Sequence, residues 1–161
     1  MPLARVRIDK YFKDEAWYLK RGYELNSIEC IAIVEYIEEQ VAKYMKDIIG
    51  TTRSYEVDNL AVVTSWQECS EHFSWTRGDI VAQGVLSLEV PGNLCKLAVY
   101  CFTGMRDELS CCVPNDTVWF QTSAEIPMAA NELIIVPGDH NPDINGLNGE
   151  PGLFIVFNIK V

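Results

Sequence analysis

From residue 55 onward, the chain is a series of short segments rich in Val, Ile, Leu and aromatic residues, separated by residues that favour turns. Turn formers stand at 91–93, 103–104 and 114–116. The pattern predicts strands over 55–66, 79–90, 94–102, 117–122, 133–136 and 153–161, with a long polar loop between the last two. Short strands at this density predict an antiparallel jelly-roll, or double-stranded β-helix barrel.

The N-terminal part is predicted to hold one strand and one long helix. Residues 3–8 alternate between apolar and basic side chains, as in a half-buried edge strand. Apolar residues then recur at steps of three and four over 26–50, which predicts an amphipathic helix. Asn26 and Glu29 are expected to form its capping box, and Gly50 its left-handed end. The predicted fold is mainly β (α+β), with this helical segment packed on the jelly-roll barrel.

Length and charge limit the classes of function. A chain of 161 residues predicts one domain over 1–161, with the strand and helix in 1–50 and the barrel in 51–161. A net charge of −10 argues against nucleic acid and anionic membranes as partners, and leaves metal ions, small molecules or a basic protein. Without an apolar leader segment, the chain is expected to be cytoplasmic. Its six cysteines lack CxxC spacing and are expected to be buried thiols, and apolar edge-like strands suggest a homodimer.

Two local patterns suggest other chemistries. Met1 and Pro2 precede a strand-like segment, as in tautomerases that use a proline amine as nucleophile. Separately, residues 139–150 carry oxygen side chains at positions 1, 3, 5, 7 and 12, as calcium loops do. The calcium ligands would include Asp139, Asn141, Asp143 and Glu150. However, Ile144 stands where such a loop needs glycine, and Asp and Asn are also common turn formers.

The two histidines each lie in a recognisable context. His72 is followed after four residues by Arg77 and, after six more, by Gly84. His140 lies in a turn-rich segment, residues 137–142, which reads Pro-Gly-Asp-His-Asn-Pro. These two segments resemble the first and second motifs of the cupins. With the Asn-Gly at 148–149 and the closing Lys-Val at 160–161, the chain most resembles the YhcH/YiaL family of small cupins over about residues 27–161.

The resemblance implies a metal ion at the barrel mouth and an activity on sugars, by anomer or isomer interconversion. His72 and His140 would bind a divalent transition metal (Zn, Fe, Ni or Cu), or act as a neutral acid/base pair. Two departures from the cupin pattern weaken the metal set. Ser70 stands two residues before His72, where cupins usually carry a second histidine, and Arg77 replaces the expected glutamate.

Other residues near the histidines have candidate roles. Arg77 could orient a substrate carboxylate, and Asp79 or Asp143 could contact substrate or complete an acid/base triad. Trp75 is a candidate sugar platform, whereas the tryptophans in general are expected to belong to the core. The alternative function is a non-catalytic acidic jelly-roll module, such as an inhibitor, immunity or assembly protein, that recognises a basic protein partner. In that case the same residues would be ordinary strand, loop and surface residues.

Overall fold

The computed structural model describes residues 4–8, 11–65, 67–68, 72, 79–92, 95–101, 123–137 and 140–161. The helices are α1 (Lys13–Lys20) and α2 (Ile31–Tyr44), and α2 continues into a π-helical turn (Met45–Ile49). The strands are β1 (Ala4–Arg7), β2 (Glu56–Val63), β3 (Ile80–Glu89), β4 (Lys96–Cys101), β5 (Ser123–Pro127), β6 (Glu132–Pro137), β7 (His140–Asn145) and β8 (Leu153–Lys160).

The strands form two antiparallel sheets. The larger sheet has the order β1-β6-β3-β8-β2, and the smaller has the order β5-β4-β7. The strands alternate between two faces, so each inner strand of the larger sheet contributes to two cores. This arrangement of antiparallel strands in two sheets, with helices on one side, is the predicted jelly-roll with an N-terminal helical segment, and the fold prediction is confirmed.

One core lies between the helices and the outer face of the larger sheet. It includes Ile37 and Val41 of α2 and Leu86, Ile135 and Phe157 of the sheet. The second core lies between the two sheets, in the barrel interior. Its members come from both sheets: Val63, Val85, Leu97, Val99, Ile134, Val136, Ile144, Phe154 and Val156. Helical packing and barrel packing are therefore separate layers that share the larger sheet.

Helix α2 differs from its prediction at one end. Gly50 ends it at φ 70°, and its N–H donates to the carbonyl of Met45, as predicted. The start was wrong, because the helix begins at Ile31 and no side chain caps it. The Ser27 hydroxyl donates to the Glu24 carbonyl at 2.5 Å, and the residues before Ile31 form successive turns. The Asn26 capping box does not form because local turn bonding replaces the first helical turn.

The strand predictions differ from the structure at two places. Residues 140–145, predicted as loop, form β7, and β5 was not predicted. The predicted strand over 117–122 lies outside the described residues. The tautomerase alternative required a βαβ unit, whereas every strand pairing among the described residues is antiparallel, so that alternative is not supported.

Gly84 and Phe157 form a close contact in the helix-side core. They lie opposite each other on β3 and β8. A Cβ atom added at Gly84 would lie 2.1 Å from Cζ of Phe157, well inside van der Waals contact. The phenyl ring therefore occupies the space that a side chain at position 84 would fill. Glycine at this position is required by packing.

The surface of the N-terminal segment carries an ion pair and an exposed aromatic residue. Arg5 donates to the nearly buried carboxylate of Glu132 from Nε and Nη2, at 3.1 and 3.0 Å. Trp17, predicted to belong to the core, is 50% exposed, and the Arg21 guanidinium stacks on its ring at 3.5 Å.

Cys30 and Cys95 are buried free thiols, as predicted. No helix in the described ranges is long and apolar enough to cross a membrane.

Candidate functional site

One end of the barrel gathers most of the polar side chains that face its interior. We call this end the mouth: it is formed by the starts of β2, β3 and β7 and the ends of β6 and β8. The pairing of Ile80 with Lys160, and of Glu56 with Lys160, brings β2, β3 and β8 together there. Residues 138–139 alone separate the end of β6 from the start of β7, so both sheets meet at the mouth.

Three polar residues form a row across the larger sheet at the mouth. Asp58 of β2 pairs in register with Asn158 of β8, which pairs with Gln83 of β3. The Gln83 amide Nε2 donates to Asn158 Oδ1 at 3.1 Å, and both side chains are buried. Val85 and Val156, two residues further along their strands, belong to the interior core, so the row faces the barrel interior. We call Asp58, Asn158 and Gln83 the polar row.

A β-bulge sets the direction of Asp58. Asp58 and Ala61 pair with Asn158 and Val156, so β2 has one more residue than β8 between these pairs. Asn59 takes a left-handed φ of 53° in this bulge. Because of the extra residue, Asp58 and Ala61 both face the barrel interior although they are three residues apart. Without it, strand alternation would place them on opposite faces.

His72 is half-buried, and burial lowers its pKa because desolvation disfavours the imidazolium form. It precedes Asp79, the residue before β3 at the mouth, by seven positions. A neutral imidazole near pH 7 can accept a proton or bind a metal ion. The electrostatics of this position therefore suit the role predicted for His72.

His140 is the first residue of β7 and pairs in register with Cys101, the last residue of β4. The backbone therefore places position 140 at the mouth, beside the end of β4.

The remaining predicted site residues lie in different places. Asp79 Oδ2 is 3.6 Å from Lys160 Nζ, and the Asp79 carbonyl accepts from the Val161 N–H, so Asp79 is at the rim of the mouth. Asp143 precedes Ile144 on β7, so its side chain lies on the opposite face of the strand and points away from the barrel interior. Arg77 and Trp75 lie outside the described residues.

The predicted calcium loop is not supported. Residues 140–145 form β7, so half of the twelve-residue frame is extended strand. An extended strand spreads successive ligand positions such as Asp143 and Asn145 about 7 Å apart along its length, whereas a calcium loop turns its ligands toward one centre. Residues 146–150 of the frame lie at the opposite end of the barrel, where residues 144–151 with Thr64, Ser65 and Gln67 line an open cavity of about 500 Å³.

His72 gives a pH-dependence that can be measured. We expect the metal-free protein to lose stability as pH falls below about 6.5, the ordinary pKa of histidine. Between the lowered folded pKa and that value, the unfolded state binds more protons, so the free energy of unfolding rises with pH there. Urea denaturation near neutral and mildly acidic pH, in the presence of a chelator, measures this effect. His72→Gln should flatten the profile, and an unchanged profile in that variant would contradict the assignment.

The polar row was missed in the sequence, although part of its signal was present. Gln83 and Asn158 are single amides inside apolar runs, IVAQGV and FIVFNI. A polar residue at the interior phase of a strand is a candidate site residue, and both could have been selected on that basis. Asp58 gives no such signal because the bulge at 59–60 changes the phase of β2.

Comparisons with known proteins bear on the fold. No protein-family model matches the chain, and no curated protein matches it. The similar solved structures include the following three. One is an oxidoreductase of the 2OG-Fe(II) oxygenase family from Burkholderia pseudomallei, with 10% identity and a TM-score of 0.53 over 98% of this chain and 65% of that one. Another is a Pseudomonas putida prolyl-4-hydroxylase, with 8% identity and a TM-score of 0.56 over 99% and 92%.

The third is the non-heme α-ketoglutarate-dependent epimerase SnoN from nogalamycin biosynthesis, with 11% identity and a TM-score of 0.58 over 99% of this chain and 78% of that one. At these identities the similarity establishes a shared jelly-roll fold. It agrees with the fold that the cupin resemblance implied. It gives no support to the nearer resemblance to the YhcH/YiaL family.

Proposed function

We propose that this chain is a metal-dependent jelly-roll enzyme that acts on a small polar metabolite, with iron bound at the mouth by His72 and His140. The observation that carries the proposal is the position of His140 at the start of β7, at the end of the barrel that also holds the polar row. The titles of the similar structures name Fe(II) or α-ketoglutarate-dependent enzymes and a hydroxylase, which favours iron over the other predicted metals.

The chemistry of the donors fits this metal in part. Imidazole binds metal in its neutral form, and burial favours that form of His72. Two histidines with one carboxylate are the donor set of non-heme Fe(II) oxygenases. Within the described side chains, no three His, Cys, Asp or Glu groups cluster as metal ligands. The proposal therefore assigns two protein ligands to the ion and leaves its other positions to solvent and substrate.

When bound, such an ion would polarise an oxygen atom of the metabolite as a Lewis acid. The protein residues would bind and orient the metabolite and keep water from it. The polar row offers acceptors that orient the metabolite, and Lys160 at the rim, between Asp79 and Glu56, provides a positive charge for an anionic group. The interior core beneath the row excludes water from the inner side of the metabolite.

Sugar anomer or isomer interconversion is the narrower form of the proposal. It rests on the sequence resemblance and on the need of such a reaction for a group that moves a proton near neutral pH. His72 fits that need because its imidazole is neutral. Sugars are therefore the first substrates to screen once a metal has been found.

Elemental analysis of tag-free protein, loaded anaerobically with Fe(II), tests the proposal. We expect about one iron per chain in the wild type and almost none in His72→Ala or His140→Ala, because each substitution would leave the ion a single protein ligand of the two that the proposal assigns. Asp143→Asn is the matched control, because this carboxylate faces away from the barrel interior and its loss should leave the metal content unchanged. Circular dichroism confirms that each variant is folded.

Wild-type protein that takes up no transition metal would overturn the proposal. The acidic binding module predicted from the net charge of −10 would then be the function to test, with a basic protein as its partner. Metal retained in both histidine variants would place the ion elsewhere and would equally contradict the assignment.

A further inference from the structure

The Gln83 side chain presents an unusual hydrogen-bonding situation. It is 1% exposed, and its Nε2 donates to Asn158 Oδ1. Its Oε1 is also buried, and it has no hydrogen-bond partner among the residues that the structure describes. A buried amide oxygen without a hydrogen-bond partner is unfavourable, because it has lost its contact with water and gained no bond in exchange. Some group that enters the barrel from the mouth would remove this penalty.

The surroundings of Gln83 do not need an amide for packing. Its neighbours on the interior face, Val85, Val136 and Val156, are apolar, so a leucine at position 83 would continue the same core. The polar row instead ends at Asp58, a half-buried carboxylate beyond Asn158. Two hydrogen-bond acceptors, Gln83 Oε1 and the Asp58 carboxylate, therefore lie at the two ends of the row at the mouth, with Asn158 of β8 between them.

We infer that the polar row is the subsite that binds hydroxyl groups of the metabolite, with Gln83 and Asp58 as acceptors and Asn158 holding the Gln83 amide in place. A row of acceptors selects ligands that bring donors. The two acceptors lie two strand steps apart, about 10 Å between their backbones, so they match hydroxyls at separate positions of a polyol or sugar. This inference rests on the proposed function and adds the substrate class to it. It also assigns Gln83 a role in positioning substrate.

Binding of defined probes by metal-free and iron-loaded protein tests the inference. The hydroxyl probes are mannitol, ribose and N-acetylmannosamine, and ethylenediamine is the amine probe, with affinity measured by NMR titration. We expect a hydroxyl probe to bind, and Gln83→Leu to weaken it roughly tenfold, as for the loss of one hydrogen bond. Asp58→Asn should weaken it at least as much, because bonds to a charged acceptor are stronger.

Controls separate a binding role from a structural one. Gln83→Leu should keep its iron content and melt close to the wild-type temperature. The variant removes an unsatisfied buried oxygen, but it also takes away the donor to the buried Asn158 Oδ1, and the two effects oppose each other. Ser87→Ala is the matched control. Ser87 is also buried on β3, four residues further along, toward the end of the barrel opposite the mouth, so its loss should not change probe binding. Asp58→Asn tests the row independently if Gln83→Leu fails to fold.

Each remaining outcome has a clear meaning. Iron uptake without binding of any hydroxyl probe would overturn the inference and leave the proposed function standing. Hydroxyl binding without iron uptake would support the subsite and overturn the metal proposal. Preference for ethylenediamine would make the row a cation site, and a lower melting temperature with unchanged probe binding in Gln83→Leu would make it a structural pair. Both of these results would overturn the inference.

Discussion

Replacing Gly84 by alanine is expected to lower the free energy of unfolding by about 3 kcal/mol, the upper part of the range for overpacked cores. The new Cβ would lie 2.1 Å from Cζ of Phe157, so the ring must move. Phe157 is completely buried between β8 and the helices, and the tightly packed core leaves its ring no free space to enter. Urea denaturation at constant m-value measures the loss.

A second substitution identifies the phenyl ring as the cause. In a Phe157→Leu background the ring is absent, and Gly84→Ala should then cost much less than it does in the wild type. The double-mutant cycle should give a coupling free energy of about 1–3 kcal/mol. Additive effects of the two substitutions would show that the alanine methyl group is accommodated elsewhere, and the close contact would then not explain the glycine.

Ile37→Ala is expected to destabilise the fold by about 2–5 kcal/mol, as for other large-to-small substitutions in cores. Ile37 is completely buried at the centre of α2, where the helix packs on the outer face of the larger sheet. The substitution removes apolar contacts and leaves a cavity that the rigid sheet cannot fill. The midpoint of urea denaturation should shift with little change in the m-value.

Ile31→Ala provides the matched control for this helix. The substitution and the helix are the same, but Ile31 is 36% exposed, so less apolar surface is lost. We expect a change below about 1 kcal/mol, because alanine also has the higher helix propensity. Equal losses of unfolding free energy in the two variants would mean that α2 stabilises the fold through helix formation and hardly through packing on the sheet.

The sequence predicted the elements whose apolar pattern is regular. Helix α2 has residues of one face at steps of three and four, and β3 and β8 are long runs of Val, Ile, Leu and Phe. These patterns follow from burial alone, so they can be read without knowledge of neighbouring segments. They led to the jelly-roll prediction, which the structure confirms, whereas the order of the strands in the two sheets was not predicted.

Strand β7 could not be predicted because its composition is typical of turns. It reads His-Asn-Pro-Asp-Ile-Asn, and Pro142 lacks the N–H that a central strand requires. Among the described strands, β7 is the outermost of the smaller sheet on its side, a position where a proline is tolerated. Pairing with β4, and burial of Pro142 and Ile144, stabilise the strand against its local preference.

The histidine part of the candidate site stays a prediction, whereas the amides and the carboxylate of the polar row were not predicted. Histidine is rare in this chain, with two residues in 161, so both attracted attention. Gln83 and Asn158 become candidate site residues only because their side chains contact each other, although they are 75 positions apart in the sequence. Such a contact depends on register, which the sequence alone does not specify at this distance.

The bulge in β2 has a consequence for how this protein and its relatives should be compared. Asp58 faces the barrel interior because one extra residue stands between it and Ala61. Loss of a single codon at position 59 or 60 would therefore turn the carboxylate away from the mouth without replacing any amino acid in the polar row. An alignment that places its gap one residue too early would match Asp58 to the wrong position. Homologues should accordingly be aligned on strand register here, because the length of this segment decides which residue faces the mouth.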